Sequence, residues 1–225
     1  MEQGQETVEV TTAELRQILA DKSAYVFDAR PRLEYAISHI PGSLNAAPKP
    51  GVVMSQIISD VAEIERIVKD KAAAIVLYCN GLFSDKSKRL SEELLAGGFI
   101  NVRRYQLGIP TWRALVGLTQ IELDGVRYVF QGDKTAVFVD ARSPDAFAKG
   151  SLPGAVNLID KADVTKAKDD KRLPTEDHNT RIIIFGKDGK QAQTVAAEIA
   201  KHAFHNIAFY PGAFEELIQV ATLAQ

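Results

Sequence analysis

The stretch YVFDARPRLEYAISHIPGSLNA (residues 25–46) returns as VFVDARSPDAFAKGSLPGAVNL (137–158). Asp28-Ala29-Arg30 falls on Asp140-Ala141-Arg142, a displacement of 112 residues. The same displacement carries Pro41-Gly42 onto Pro153-Gly154 and Asn45 onto Asn157. Farther on, AAAIVLYCNG corresponds to TRIIIFGKDG, and YQLGIPTW is weakly echoed by YPGAFEEL. Solenoid repeats run to roughly 20–50 residues, so a period above one hundred marks a duplicated domain. Each copy is long enough to bury a core of its own. The division expected is 1–119 and 120–225, with a linker near 116–119.

Inside each copy, strand and helix patterns alternate. Thr11-Thr12-Ala13-Glu14 is a capping box opening a helix over 15–20, and a buried strand over 24–28 follows. SDVAEIERIVKD offers Ser59 or Asp60 as an N-cap, with Val61, Ile64, Ile67 and Val68 along one face. Ile75-Val76-Leu77-Tyr78 reads as a second buried strand. A helix over 86–96 stopped by Gly97-Gly98, a strand in NVRRY and a helix over 111–115 complete the copy. In the second copy, IELDGVRYVF suggests a hairpin turning at Asp124-Gly125. DKADVTKAKDDKRLPTEDHNT (160–180) suggests a solvated, partly helical insertion. The alternation predicts an α/β fold: in each copy, a mainly parallel sheet with helices on both faces.

The only cysteine, Cys79, stands where the strand 75–78 ends and a polar loop leads into the next helix. A single thiol excludes an internal disulfide and a cysteine-rich zinc site. His39, His178, His202 and His205 follow no zinc-ligand spacing, so neither a metal nor another cofactor is expected. The copies carry 14 basic and 14 acidic residues, and 13 and 15, so neither offers a basic field for nucleic acid. No apolar run is long enough to span a bilayer, and the first residues do not resemble a signal peptide. The expected location is cytoplasmic if Met1 is the native start, periplasmic if a signal peptide was removed.

Parallel sheets bind ligands beyond the carboxyl ends of their strands, and Cys79 lies at such an end. Backbone N–H groups following it can curl around the sulfur, and the next helix directs its positive end there. Both favour a thiolate and an anion docked beside it. Lys86, Lys88 and Arg89 add positive charge downstream, and Gly81 permits a tight backbone. A structural thiol at a strand end is the competing reading.

Four features in order resemble the rhodanese family: Asp28-Ala29-Arg30 closing a strand, EYAISHIPGSLNA, the strand–Cys79–loop–helix segment, and YQLGIPTW. The resemblance covers nearly all of the first copy and, more loosely, the second. It implies tandem rhodanese-like domains, with Cys79 as nucleophile and carrier of sulfane sulfur in a persulfide. Asn80, Gly81, Leu82, Phe83, Ser84, Asp85 and Lys86 would form the loop that holds the substrate anion. The implied partners are a small anionic donor such as thiosulfate and a thiol or cyanide acceptor, or a protein donor or acceptor of sulfur. His39 would fix a loop.

The residues narrow this further. Related phosphatases need Cys-x5-Arg for a guanidinium clamp on phosphate, and here that position is Asp85. The Ser84 hydroxyl could bind the persulfide, a substrate oxygen or loop amides. Asp28 and Arg30 recur as Asp140 and Arg142 in a copy without cysteine, which points to an ion pair that holds the fold. Trp112 is expected to pack under the loop and Arg103-Arg104 to lie on the surface. The cysteine position of the second copy is Gly186, followed by Lys187 and Lys190, so that copy is expected to be noncatalytic. Two other readings stay open: a noncatalytic binding or scaffold module with Cys79 unused, and a redox sensor cycling through sulfenic acid with an external thiol as resolver.

Overall fold

A computed structural model describes residues 7–46 and 60–222 of the 225-residue chain. It divides into two compact units, Met1–Tyr35 with His39–Trp112, and Ala36–Ser38 with Arg113–Gln225.

In the order of the chain, the first copy forms β1 (Val8–Glu9), α1 (Thr12–Asp21), β2 (Tyr25–Asp28), α2 (Arg32–Ile37) and α3 (Val61–Ile67). It continues with β3 (Ile75–Tyr78), α4 (Lys86–Ala96), β4 (Val102–Tyr105) and α5 (Gly108–Val116). The strands lie in the order β1-β4-β3-β2, all parallel. Leu44 adds a parallel bridge to Phe27 at the β2 edge.

Local chemistry sets the helix starts. The Thr11 hydroxyl accepts from the Glu14 amide at 3.2 Å, and the Glu14 carboxylate accepts from the Thr11 amide at 2.7 Å. Asp60 caps α3 by accepting from the Glu63 amide at 2.9 Å; Ser59, the other expected cap, lies outside the described residues. α4 ends at Gly97-Gly98, where Gly98 takes φ +88°. The last helix begins three residues before the expected Thr111, because Gly108 and Ile109 already turn into it.

Alternation along β3 decides which side chains meet α4. Ile75, Leu77 and Cys79 join Phe27, Ile64, Leu90, Leu94 and Val102 in one buried cluster under α3 and α4. Tyr78 faces the other way, also buried, and its hydroxyl meets the Ile40 amide at 3.1 Å and the Ser43 hydroxyl at 2.9 Å.

The second copy forms β5 (Leu118–Gln120), α6 (Leu123–Gly132), β6 (Val137–Asp140), α7 (Pro144–Ala148) and β7 (Val156–Asn157). α8 (Lys161–Asp169), β8 (Ile182–Phe185), α9 (Gly189–Ala200), β9 (Ile207–Phe209) and α10 (Phe214–Thr222) follow. Its strands, also all parallel, run β5-β9-β8-β6-β7. Matching β1 with β5, β2 with β6, β3 with β8 and β4 with β9 gives the same order twice, so the duplication holds in topology. Ile182 and Ile184 pack against α8 and α9 on one face, while Ile183 and Phe185 pack with α6 and α10 on the other.

One sequence expectation is corrected. IELDGVRYVF is not a hairpin, since Asp124-Gly125 lies in the first turn of α6. Val126 and Val129 recur at helical spacing and are both buried, which overrides the turn preference of the Asp-Gly pair. Within 116–119, where the linker is expected, the connection is a single residue between α5 and β5. Val116 ends α5, Gly117 turns at φ +88°, and Leu118-Thr119 enter β5 beside β9. The polar stretch 160–180 does contain a helix, α8, begun by Asp160 accepting from the Asp163 amide at 2.9 Å. No helix among the described residues is long and apolar enough to cross a membrane.

Candidate active site

β3 delivers Cys79 one residue past its last paired position. The chain is fixed on both sides there, because the Ala29 amide donates to the Tyr78 carbonyl at 2.8 Å and the Ile109 amide donates to the Cys79 carbonyl at 3.0 Å. Cys79 is 1 % exposed. Its thiol has the Ser84 carbonyl at 3.5 Å, the Gly81 carbonyl at 3.9 Å and the Ser87 hydroxyl at 3.1 Å. Carbonyls only accept, so this arrangement suits a protonated thiol.

The expected loop residues divide by position. Gly81 turns at φ +98°, with the Leu107 carbonyl 3.3 Å from where a Cβ would stand. Ser84 closes the turn, its amide donating to the Gly81 carbonyl at 3.0 Å. Its hydroxyl is buried with no hydrogen-bond partner among the described residues. Asn80 turns outward and donates to Glu34 at 2.8 Å. Leu82 and Phe83 project into solvent, Phe83 completely. Lys86 is half-buried, and Arg89 forms an ion pair with Glu93 at 3.6 Å.

Asp85 is the N-cap residue of α4 but makes no side-chain cap hydrogen bond. The corresponding helix of the second copy is closed by its own side chains. Asp188 accepts from the Gln191 amide at 2.8 Å, and Gln191 Oε1 accepts from the Lys187 amide at 2.9 Å. An unfilled helix N-terminus attracts an anion through its N–H groups and its dipole. At Gly186, a Cβ would stand 2.9 Å from Gln191 Oε1 and 3.2 Å from the Ala192 amide nitrogen.

Asp28 and Arg30 form a buried pair in which Nη2 donates to Oδ2 at 2.6 Å and Nε to Oδ1 at 2.9 Å. Burial opposes the charge on Arg30, but the adjacent Asp28 carboxylate outweighs it and holds the guanidinium protonated well above its ordinary range. Asn45 ties the carbonyls of Asp28 and Arg30 together at 3.0 Å each. Arg142 repeats the pairing with Asp140 at 2.7 Å, and Asn157 repeats the tie at 2.9 and 2.8 Å. Burial, with a further push from Asp28, raises the Tyr78 phenol well above its usual range, so it remains a neutral hydrogen-bonding group. His39 is buried, stacked on Tyr35 at 3.9 Å, and places Nδ1 2.9 Å from the Tyr35 carbonyl. A carbonyl cannot donate, so Nδ1 carries the proton. Trp112 is buried within α5.

Arg104 corrects an expectation: it is 2 % exposed, not on the surface. Val102 and Arg104 share a face of β4, and the register pairs Ile75 with Val102 and Leu77 with Arg104. Strand alternation therefore puts Arg104 on the face that carries Cys79, beneath α4. Arg103 points to the opposite face and is half-buried. Two further residues escaped the sequence reading. Ser87 is fully buried on α4, where its spacing from Leu90, Ser91 and Leu94 marks the inward face. Gly108, inside YQLGIPTW, takes φ +62° and abuts the main chain of Cys79 and Gly81. Among the described residues no cluster of three or more His, Cys, Asp or Glu could hold a metal ion.

The family model described as Rhodanese-like domain matches residues 11–115 and 129–219. A curated Schizosaccharomyces pombe protein named "Putative thiosulfate sulfurtransferase, mitochondrial" is 25% identical over 96 residues. That match covers 38% of this chain, and the chain spans 65% of the length of that relative. Among solved structures, a 3-mercaptopyruvate sulfotransferase of Escherichia coli aligns at 20% identity and TM-score 0.39, covering 92% of this chain and 98% of the other. A thiosulfate sulfurtransferase of Pseudomonas aeruginosa aligns at 18% identity and TM-score 0.40, covering 94% and 42%.

Proposed function

Because this chain belongs to the rhodanese-like domain family, we propose that it is a sulfurtransferase that carries sulfane sulfur on Cys79. The observation that supports this most is the placement of its one thiol. Cys79 leaves the carboxyl end of β3 directly before α4, a helix whose N-cap side chain leaves that end open. The thiol loses its proton to solvent, and the thiolate attacks the outer sulfur of thiosulfate. A sulfur–sulfur bond to Cys79 forms as the bond to the sulfonate sulfur breaks. Sulfite leaves with that electron pair, and Cys79 holds a persulfide. Cyanide or an acceptor thiolate then attacks the outer sulfur, and Cys79 departs as thiolate in a two-step exchange.

The open end of α4 and the half-buried Lys86 supply the attraction for an anionic donor. Leu82 and Phe83, exposed at the tip of the loop, favour a donor or acceptor larger than thiosulfate, including a persulfidated protein. The second copy has Gly186 at the cysteine position, with its helix N-terminus filled by Asp188 and Gln191, so sulfur transfer is assigned to the first copy alone.

Intact-mass measurement of the full chain with thiosulfate, polysulfide or a persulfidated protein, beside Cys79→Ser, tests the proposal. The expected result is a gain of one sulfur atom, reversed by cyanide and absent in the variant. An unchanged mass with every donor overturns it. Rapid alkylation of Cys79 would then favour the redox reading, and a thiol no more reactive than a free one would favour the binding module.

A further inference from the structure

We propose that Arg104 is the positioning residue for the Cys79 sulfur and acts through Ser87. This rests on the reading of Cys79 as the reacting thiol and names the groups that prepare it. Three buried side chains, those of Arg104, Ser87 and Cys79, are linked in a row. Arg104 Nη2 donates to the Ser87 hydroxyl oxygen at 3.3 Å, and that hydroxyl lies 3.1 Å from Cys79 Sγ. Ser87 is fully buried and Arg104 is 2 % exposed, so solvent does not compete for either contact. All three belong to the first unit, reaching the sulfur from β4, α4 and the end of β3.

The chemistry of the donors fixes the direction of the chain. A guanidinium has five N–H donors and no acceptor, so the Ser87 oxygen must accept from Arg104. Its one proton is then free to point at the sulfur. A thiolate accepts that proton in a charge-assisted hydrogen bond, and the same O–H can serve a persulfide sulfur bonded to Cys79. A positive charge behind the hydroxyl strengthens it as a donor. Ser87 is therefore the group touching the reacting atom, and Arg104 orients and polarises it.

The surrounding charges do not duplicate this role. Asp28 and Arg30 neutralise each other in their own buried pair. Glu34 is held by Asn80 and lies 3.7 Å from Arg30. Asp85 and Lys86 sit at the start of α4, and Arg89 pairs with Glu93. Arg104 is the cation joined to the sulfur through a buried hydroxyl.

Alkylation of Cys79 by iodoacetamide at fixed neutral pH tests the proposal in the full chain, with folding followed by circular dichroism. Ser87→Ala and Arg104→Met are each expected to slow alkylation about five- to tenfold, the scale of a lost charge-assisted hydrogen bond. Arg104→Lys should recover part of the rate. The double variant should be no slower than the single ones, because both break one chain. A purely structural Arg104 predicts the opposite sign, since looser packing exposes a buried thiol and speeds alkylation. Unchanged or faster alkylation in a folded Ser87→Ala or Arg104→Met protein overturns the proposal, as does a double variant slowed by the product of the single effects. If Arg104→Met does not fold, Ser87→Ala, which removes one oxygen, still decides. Iodoacetamide delivers no sulfur, so failure of persulfide formation in the parent protein would count against the sulfurtransferase reading and leave this result separate.

Discussion

Gly108 lies so close to Cys79 that a Cβ at residue 108 would overlap the Cys79 carbonyl oxygen and the Gly81 main chain. The turn from β4 into α5 is thus the floor on which the cysteine loop rests, joined to it by the hydrogen bond from the Ile109 amide to Cys79.

Gly108→Ala is therefore expected to damage the site and the fold together. The substitution adds the strain of a side chain at φ +62° and pushes residues 79–81 off their positions. A loss of about 2–4 kcal/mol is expected for a backbone clash combined with left-handed strain, together with slower persulfide formation. Gly98→Ala is the control, because its φ is +88° but nothing stands within 4 Å of the new Cβ. Its cost should stay near about 1 kcal/mol, with persulfide formation unchanged. Urea unfolding and intact-mass kinetics measure both. Equal effects of the two substitutions would remove Gly108 from the site.

Asn45→Ala and Asn157→Ala probe the duplicated tie. Each asparagine donates from one amide nitrogen to two carbonyls, those of Asp28 and Arg30 or of Asp140 and Arg142. Each loss should destabilise its own unit by about 1–3 kcal/mol, because the two carbonyls lose the side-chain donor that ties them together. Asn157→Ala should fall at the lower end, because the Asp140 carbonyl keeps the Leu158 amide at 3.1 Å. Chemical denaturation reads this directly. An effect on Cys79 chemistry from Asn45→Ala without a loss of stability would contradict a fold-holding role for the Asp28–Arg30 corner.

The parts of this molecule that could be read in the sequence are those where local chemistry and tertiary packing agree. The repeat announced two parallel sheets, and Thr11 with Glu14 and Asp60 with Glu63 marked helix starts that the packing also needs. Asp124-Gly125 misled because a turn-forming pair there occupies the first turn of a helix whose inward face, Val126 and Val129, decides its conformation. Arg104 misled because a charged residue reads as a surface residue. Only its parity with Cys79 across the β3–β4 register reveals that it lies beneath α4. Ser87 lies beyond the loop that follows the cysteine, and its only signal in the sequence is a serine at an inward helical position, the mark of a buried polar contact. Gly108 was invisible because a close backbone approach leaves no pattern along one chain.

Asp133 gives the second unit a pH-dependent contact. Burial disfavours its carboxylate, yet hydrogen bonds from Thr135 and the charge of Arg181, 2.6 Å away, more than compensate and hold it below its ordinary value of 3.8. A carboxylate lowered in the folded state contributes its stability above the unfolded value and loses it as pH falls through the folded one. The contribution should thus be complete at neutral pH and decline below about pH 4, where unfolded aspartate begins to take up protons. The site is partly exposed, so Asp133→Asn should cost less than about 1 kcal/mol at pH 7. The difference from the parent protein should vanish in acid. A constant difference across that range, measured by thermal unfolding, would show that the cost is not ionic.

Gly186→Cys, made in a Cys79→Ser background, should not create a second sulfur carrier. The new Cβ would displace the Gln191 carboxamide and crowd the Ala192 amide. The Lys187 amide would lose its acceptor, at a cost of about 1 kcal/mol. Asp188 would still fill the helix N-terminus that an anionic donor requires. Intact mass after thiosulfate treatment should show no added sulfur. Adding Asp188→Ala and Gln191→Ala would open the helix end, so any sulfur uptake should appear first in that combination. Uptake by Gly186→Cys alone would mean that a thiol at a strand end suffices, and that the open N-terminus of α4 contributes nothing to the first copy.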